Sequence, residues 1–267
     1  MDLTVGIIGL GNMGEAILKS LLRSGFPKKN ILCTEIKEER ARERASAYGV
    51  KIVDEVAELV RKSRYVIIAV KPQDAKELAG TMALSLDDRT TLISIMAGIT
   101  TAGLLSMVGK PARIVRLMPN IAARVGEAAI GMCANFVLQK KETEEVLRIL
   151  QPLGKVVEVS EELMDGVTAL SGSGPAFFLT FLEAMIDGGV KMGLTREKAS
   201  VLAIQTIKGT VTLLEEEKIH PSLLREMVTS PGGTTIAGLA LLEDKGFKGA
   251  VIRAIEAAML RARELSK

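Results

Sequence analysis

Residues 4–35 read TVGIIGLGNMGEAILKSLLRSGFPKKNILCTE, and the punctuation of that stretch decides the fold. A β-branched apolar run ends at Gly9, GLGNMG covers 9–14, an amphipathic run follows to Arg23, and a second apolar run ends in Glu35. Strand, glycine turn, helix and second strand in that order form the unit that cradles a dinucleotide phosphate. Gly9 permits the tight turn, Gly11 lets a pyrophosphate approach the backbone, and Gly14 lets the helix pack closely on the strand. Leu10, Asn12 and Met13 complete the turn, and the free N–H groups of the helix start face the anion. Glu35 stands where a carboxylate accepts hydrogen bonds from the adenosine ribose and repels a 2′-phosphate. Lys37 and Arg40 follow closely and either attract that phosphate or simply form a solvated charged helix start, so the coenzyme is NADPH or NADH with a lean to NADH.

Beyond Glu35 the alternation continues through Tyr65–Val70, Thr91–Ile95, Ile114–Leu117 and Ala129–Cys133, after Leu3–Ile8 and Ile31–Glu35. It predicts an α/β domain over residues 1–160, a parallel doubly wound sheet with helices on both faces. From about Glu161 the strand signal stops. Helical patterns cover Met164–Met192, Arg196–Glu217, Ser222–Val228, Thr235–Glu243 and Phe247–Ser266, broken at Gly193, Pro221, Pro231-Gly232-Gly233 and Gly246. An all-helical C-terminal domain over 161–267 follows. Stretches such as Val201–Ile207 are apolar on more than one face, which favours a second subunit over a monomeric bundle.

Lys and Arg number 35 against 32 Asp and Glu, a balance too even to point to nucleic acid or an anionic membrane. A small-molecule partner is expected instead. Cys33 and Cys133 stand far apart without metal or dithiol spacing, so no metal site is expected. The first strand begins at once and leaves no room for a signal peptide, and no unbroken apolar run approaches ~18 residues, so the expected location is the cytoplasm.

Further segments carry glycine, proline and small polar residues that a plain core does not need: AVKPQ (69–73), SIMAGIT (94–100), RLMPN (116–120), LSGSGPAF (170–177) and TSPGGTTIAGL (229–239). The first three fall at the carboxyl ends of predicted strands, the edge where open α/β sheets bind ligands. In the last, consecutive glycines before a helix start leave backbone N–H groups accessible, a nest suited to a carboxylate.

In this order, and over essentially the whole chain, these segments closely resemble the pyrroline-5-carboxylate reductases. The resemblance implies a Rossmann domain followed by a helical substrate-binding and dimerisation domain, a homodimer that some members build into larger rings, and reduction of 1-pyrroline-5-carboxylate to L-proline, the last step of proline biosynthesis. It implies that the Gly9–Gly14 turn with Ala69, Val70, Lys71, Pro72 and Ala97 contacts the coenzyme. Ser230, Gly233, Thr234 and Thr235 are implied to face substrate, with Asn120 nearby and Glu161 a further candidate. The chain departs from the pattern at Val56, where members often have Asn, at Ile121–Arg124 after RLMPN, and at Lys218, where some members are acidic.

The residues themselves favour an imine substrate. His220, the only histidine, lies outside the motifs and reads as a loop residue or helix cap. Ketone reduction usually needs a positioned acid or base, whereas a protonated C=N bond is already electrophilic and needs hydroxyl donors and good positioning. Thr235 and Ser230 are therefore the candidate catalytic groups, with Thr235 orienting the ring nitrogen or relaying a proton from water. Ser171 and Ser173 fit no nucleophile elbow and read as small residues for close helix packing. The alternatives are an imine reductase or β-hydroxyacid dehydrogenase type of enzyme, against which the TSPGGTT turn argues, and a noncatalytic dinucleotide-binding protein.

Overall fold

The computed structural model describes residues 3–265. Two compact units emerge: one runs to Ser173 and includes the end of the last helix from Ala258, and the other is Gly174–Ala257. The predicted boundary at 160/161 lies inside the first unit, because the segment after Glu161 packs on the sheet. Any Cβ on Gly131 would collide with the Val167 side chain, and the Glu161 carboxylate pairs with Arg116.

In the first unit the chain runs through β1 (Val5–Ile8), α1 (Asn12–Arg23), β2 (Ile31–Thr34), α2 (Glu38–Tyr48), β3 (Lys51–Ile52), α3 (Val56–Lys62), β4 (Tyr65–Ile68), α4 (Ala75–Ala83), β5 (Thr91–Ser94) and α5 (Thr101–Val108). It continues through β6 (Arg113–Met118), β7 (Ala128–Ala134), α6 (Lys140–Leu150), β8 (Gly154–Glu158) and the short α7 (Met164–Val167). The sheet has the order β3-β2-β1-β4-β5-β6-β7-β8. Its strand order reverses direction between β1 and β4, which opens a crevice at their carboxyl ends. One apolar layer gathers around Ile7, Ile17, Leu21 and Ile67, the other around Leu59, Ile68, Leu92 and Ile114. Strands covered on both faces read as unbroken apolar runs, and VGII and YVII are buried at every position.

Two features depart from the predicted parallel sheet. β7 runs antiparallel to β6, because only a short 3-10 turn, Ile121–Val125, joins them and a parallel return needs a crossover of about a dozen residues. Both outermost strands, β3 and β8, were not anticipated. β3 is two residues long and no residue of β8 is fully buried, so neither carries the apolar run that marks a central strand.

The second unit comprises α8 (Gly174–Lys191), α9 (Arg196–Glu217), α10 (Pro221–Met227), α11 (Thr234–Asp244) and most of α12 (Phe247–Leu265). The predicted helices stand within a residue or two of these bounds, except that the first expected helix is split into α7, a π turn over Thr168–Gly172 and α8. Ser266, the last residue of the predicted final helix, lies outside the described residues. Only Ala199, Ala203 and Leu224 are buried here, with one ring pair, Phe181 and Phe247, at 5.7 Å. Val201, Leu202, Ile204 and Val211 are all more than half exposed.

The stretch Glu161–Lys191 adds a feature that the sequence reading did not single out. By length and composition alone it is apolar enough to cross a membrane, and little of it is buried. Counting unbroken apolar runs missed it, since Asp165, Ser171, Ser173 and Glu183 interrupt the sequence without outweighing its Leu, Phe, Ala and Met.

Candidate active site

The glycine turn is built as the sequence requires. Gly9 adopts φ +91°, and a Cβ there would stand 2.8 Å from the Ala69 carbonyl oxygen. The turn therefore lies directly over the start of AVKP, which the Ala69 N–H to Ile8 carbonyl bond (2.8 Å) pins to β1. A Cβ on Gly14 would drive into the Gly9 carbonyl, whereas one on Gly11 would meet nothing within 4 Å. Space thus opens at the start of α1, where Gly11 is the N-cap and no side chain caps the helix. The first N–H groups of a helix have no intrahelical partner, and together with the open face at Gly11 they fit a pyrophosphate. Leu10 is buried as the hydrophobic pin of the turn, while Asn12 is exposed and Met13 half-buried. Ala69 and Val70, which lie against Gly9, are half-buried, whereas Lys71, Pro72 and Ala97 are exposed in the loops after β4 and β5.

Glu35 is not free as the sequence suggested. Its Oε2 accepts from the Leu10 N–H (2.9 Å) and from Arg40 Nη1 (3.3 Å), and its Oε1 accepts from the Lys37 N–H (3.0 Å). Its side chain is 4% exposed. Burial pushes the carboxyl pKa up, but the hydrogen bonds from Lys37, Leu10 and Arg40 outweigh it and hold the group below the ordinary carboxylate range.

Asn120 and Glu161, expected near substrate, belong to hydrogen-bond networks of the first unit. The Asn120 amide donates to the Ser171 carbonyl (3.0 Å) and its Oδ1 accepts from the Ala122 N–H (3.1 Å), tying RLMPN to the π turn of the SGSGPA segment. A Cβ on Gly172 would stand 3.0 Å from Met118 Cε, so the motif packs closely there, whereas one on Gly174 would meet nothing within 4 Å. Glu161 pairs with Arg116, and its Oε2 accepts from Thr101 N–H (3.0 Å) and Oγ1 (2.6 Å). Burial raises its pKa, and the bonds from Thr101 and Arg116 more than offset this. The sequence reading passed over Arg116 as a structural charge. Its signal was an arginine in the middle of the apolar strand RIVRLM, now 3% exposed.

In the second unit Ser230, Gly233, Thr234 and Thr235 converge on one turn. Pro231 and Gly232, with φ +67° at Gly232, close it through the Gly233 N–H to Ser230 carbonyl bond (3.1 Å), the pattern of a Pro-Gly type II turn. Any side chain at Gly233 would collide with Ser230 Oγ. Gly233 is then the N-cap of α11 without a side-chain cap, which leaves the N–H groups of Thr234 and Thr235 free of intrahelical partners. Ser230 and Thr234 are exposed and Thr235 is half-buried. Such a turn offers three hydroxyls and a row of N–H donors to an anionic or carbonyl-like ligand.

His220 caps α10, its Nδ1 accepting from the Ser222 N–H (3.2 Å). Burial pushes both the Cys33 and Cys133 thiols up to about 12. Among the described residues no group of three or more His, Cys, Asp and Glu gathers around a point that could hold a metal ion.

Family models match both parts of the chain. The pyrroline-5-carboxylate reductase dimerisation family matches residues 161–265, and the family described as NADP oxidoreductase coenzyme F420-dependent matches residues 4–98. The chain is 37% identical to the pyrroline-5-carboxylate reductase of Methanosarcina acetivorans, with 98% of each chain covered. It is 39% identical to that of a Synechocystis species, with 100% of each covered. The solved structure of the Coxiella burnetii pyrroline-5-carboxylate reductase superposes with a TM-score of 0.95 at 32% identity over 100% of both chains. The Plasmodium falciparum pyrroline carboxylate reductase with NADP bound gives 0.89 at 32%, over 100% of this chain and 99% of that one. Aquifex aeolicus prephenate dehydrogenase, at 17% identity and a TM-score of 0.55, shares the fold alone. With its glycine turn, its Pro-Gly turn and relatives matched from end to end, the chain belongs to the pyrroline-5-carboxylate reductase family.

Proposed function

We propose that this chain reduces the C=N bond of 1-pyrroline-5-carboxylate to L-proline with NADPH or NADH, closing proline biosynthesis in the cytoplasm as a homodimer. The observation that carries the reading is the Ser230–Thr235 turn, which supplies anion-binding N–H groups and three hydroxyls at one place. A nicotinamide coenzyme held at the Gly9–Gly14 turn supplies hydride. The N–H groups of Gly233–Thr235 bind the substrate carboxylate with Ser230 assisting, and the Thr235 hydroxyl orients the ring nitrogen. The protonated imine carbon takes up hydride and the nitrogen becomes a neutral amine, so no strong acid is needed beside it. Thr235, whose hydroxyl is a weak acid, serves as donor and relay rather than as proton source. Ala69, Val70, Lys71, Pro72 and Ala97 border the coenzyme, while Asn120 and Glu161 hold the walls through Ser171, Arg116 and Thr101.

Association of two copies is supported by the exposed apolar faces of α8 and α9 and by the family match that begins at residue 161. The apolar Glu161–Lys191 stretch is read as part of that association surface rather than as a membrane span. The direct test is coenzyme oxidation by the purified chain with pyrroline-5-carboxylate, with proline identified as product. Oxidation that needs the substrate and yields proline is expected; a chain that binds coenzyme but leaves the imine intact is not a reductase of this substrate.

A further inference from the structure

The end of β2 carries more charge chemistry than a ribose contact requires. Glu35 is nearly buried, and three protein donors already occupy its two oxygens. Two of those donors, the Leu10 peptide and Arg40, share Oε2. Arg40 is thereby held beside the glycine turn, on the edge of the sheet where an adenosine ribose arrives in such folds. The same junction is stitched by the Gly9 N–H to Thr34 carbonyl bond at 2.9 Å. Arg40 itself is one-third exposed and spends one long hydrogen bond of 3.3 Å on Glu35, leaving most of its five donors for another anion.

We propose that Glu35 is a positioning residue rather than a ribose ligand: it holds the Leu10 peptide of the dinucleotide turn and the Arg40 guanidinium, and Arg40 meets the 2′-phosphate of NADPH. This rests on the reading of the Gly9–Gly14 turn as the coenzyme site. Acidic residues at the end of β2 ordinarily exclude the 2′-phosphate by repulsion. Here the carboxylate is turned inward and neutralised, so what faces the phosphate is a cation with a planar donor fork. The depressed pKa of Glu35 agrees with a carboxylate engaged by the Lys37, Leu10 and Arg40 donors.

The test is calorimetric titration of the full-length protein with NAD+, NADP+ and the NAD+ analogue lacking the 2′-hydroxyl of the adenosine ribose. Wild type is expected to bind NAD+ and the deoxy analogue within about two-fold of each other, and Glu35→Gln to weaken both by a common factor. Arg40→Gln should lower the NADP+ to NAD+ affinity ratio by about ten-fold or more, as expected for loss of a charge-assisted pair. Arg42→Gln, which breaks a largely exposed ion pair with Glu38 on the same helix, controls for the charge change and should leave that ratio unmoved. A deoxy analogue bound about ten-fold more weakly than NAD+ by wild type would overturn the positioning role. An affinity ratio untouched by Arg40→Gln would overturn the other half. The wild-type comparison and Arg40→Gln decide the matter even if Glu35→Gln does not fold. Binding is read without turnover, so failure to reduce pyrroline-5-carboxylate would sink the proposed function and leave this inference standing.

Discussion

The two units of this chain stand at opposite ends of how a protein buries its apolar residues. The first closes its own core: every residue of β1, β4 and β5 is buried, and α1 contributes Ile17, Leu18 and Leu21 at no more than 1% exposure. The second, Gly174–Ala257, buries two alanines and a leucine while Leu202, Val201 and Met227 stand more than half exposed. A helix with one apolar stripe is finished by one neighbour, whereas helices apolar on several faces need more partners than five helices of one chain provide. The contrast is between a sheet-centred unit that closes its own core and a helical unit that leaves much of its apolar surface exposed.

That contrast is broken or sharpened first by truncation in each unit. Ile17→Ala, at 1% exposure, should cost about 2–5 kcal/mol of unfolding free energy regardless of protein concentration. Leu202→Asp, on an exposed face of α9, should instead dissociate the protein, visible as a slower sedimenting species and a melting temperature that rises with protein concentration. A folded, active monomer at low micromolar concentration would end the idea that the second unit needs a partner.

A second test separates the labours of the two units. Thr235→Ala should lower turnover on pyrroline-5-carboxylate by an amount worth about 2–4 kcal/mol, as for one donor aimed at a reacting atom, with coenzyme affinity nearly unchanged. Gly14→Ala should do the reverse, since its Cβ meets the Gly9 carbonyl of the coenzyme turn. Wild-type turnover in Thr235→Ala would remove that hydroxyl from the mechanism.

The smallest effect lies in acid. Glu35 and Glu161 both titrate below the ordinary carboxylate range in the folded chain. A carboxyl depressed by folding adds stability above its unfolded pKa, and that stability is lost as pH falls through the folded value. Unfolding midpoints measured by denaturant should therefore hold steady near neutrality and decline below the normal carboxylate range. In Glu161→Gln the baseline should be lower, because Arg116 is left without its partner, and the acid decline shallower. An equally steep decline in Glu161→Gln would show that this pair does not anchor the 161–173 segment.

Local sequence determined a good deal of this protein: the β1-turn-α1-β2 unit, the four central strands, the helix bounds after residue 190, and the turn at Pro231-Gly232. These are legible because each depends on residues close in sequence, on a period of two or 3.6, or on a glycine where no Cβ fits. Tertiary structure alone decided the rest. The reversal of β7 follows from how short its connection is, and the edge strands β3 and β8 exist only because a neighbouring strand offers free N–H and C=O groups. Where a carboxylate points is likewise settled by partners distant in the chain: Glu35 turns to Leu10, and Glu161 turns to Arg116 and Thr101. A sequence places a charge at the end of a strand, but the direction of its side chain is fixed by whichever donors the fold brings within hydrogen-bond reach, because a buried carboxylate left without them is too costly to keep.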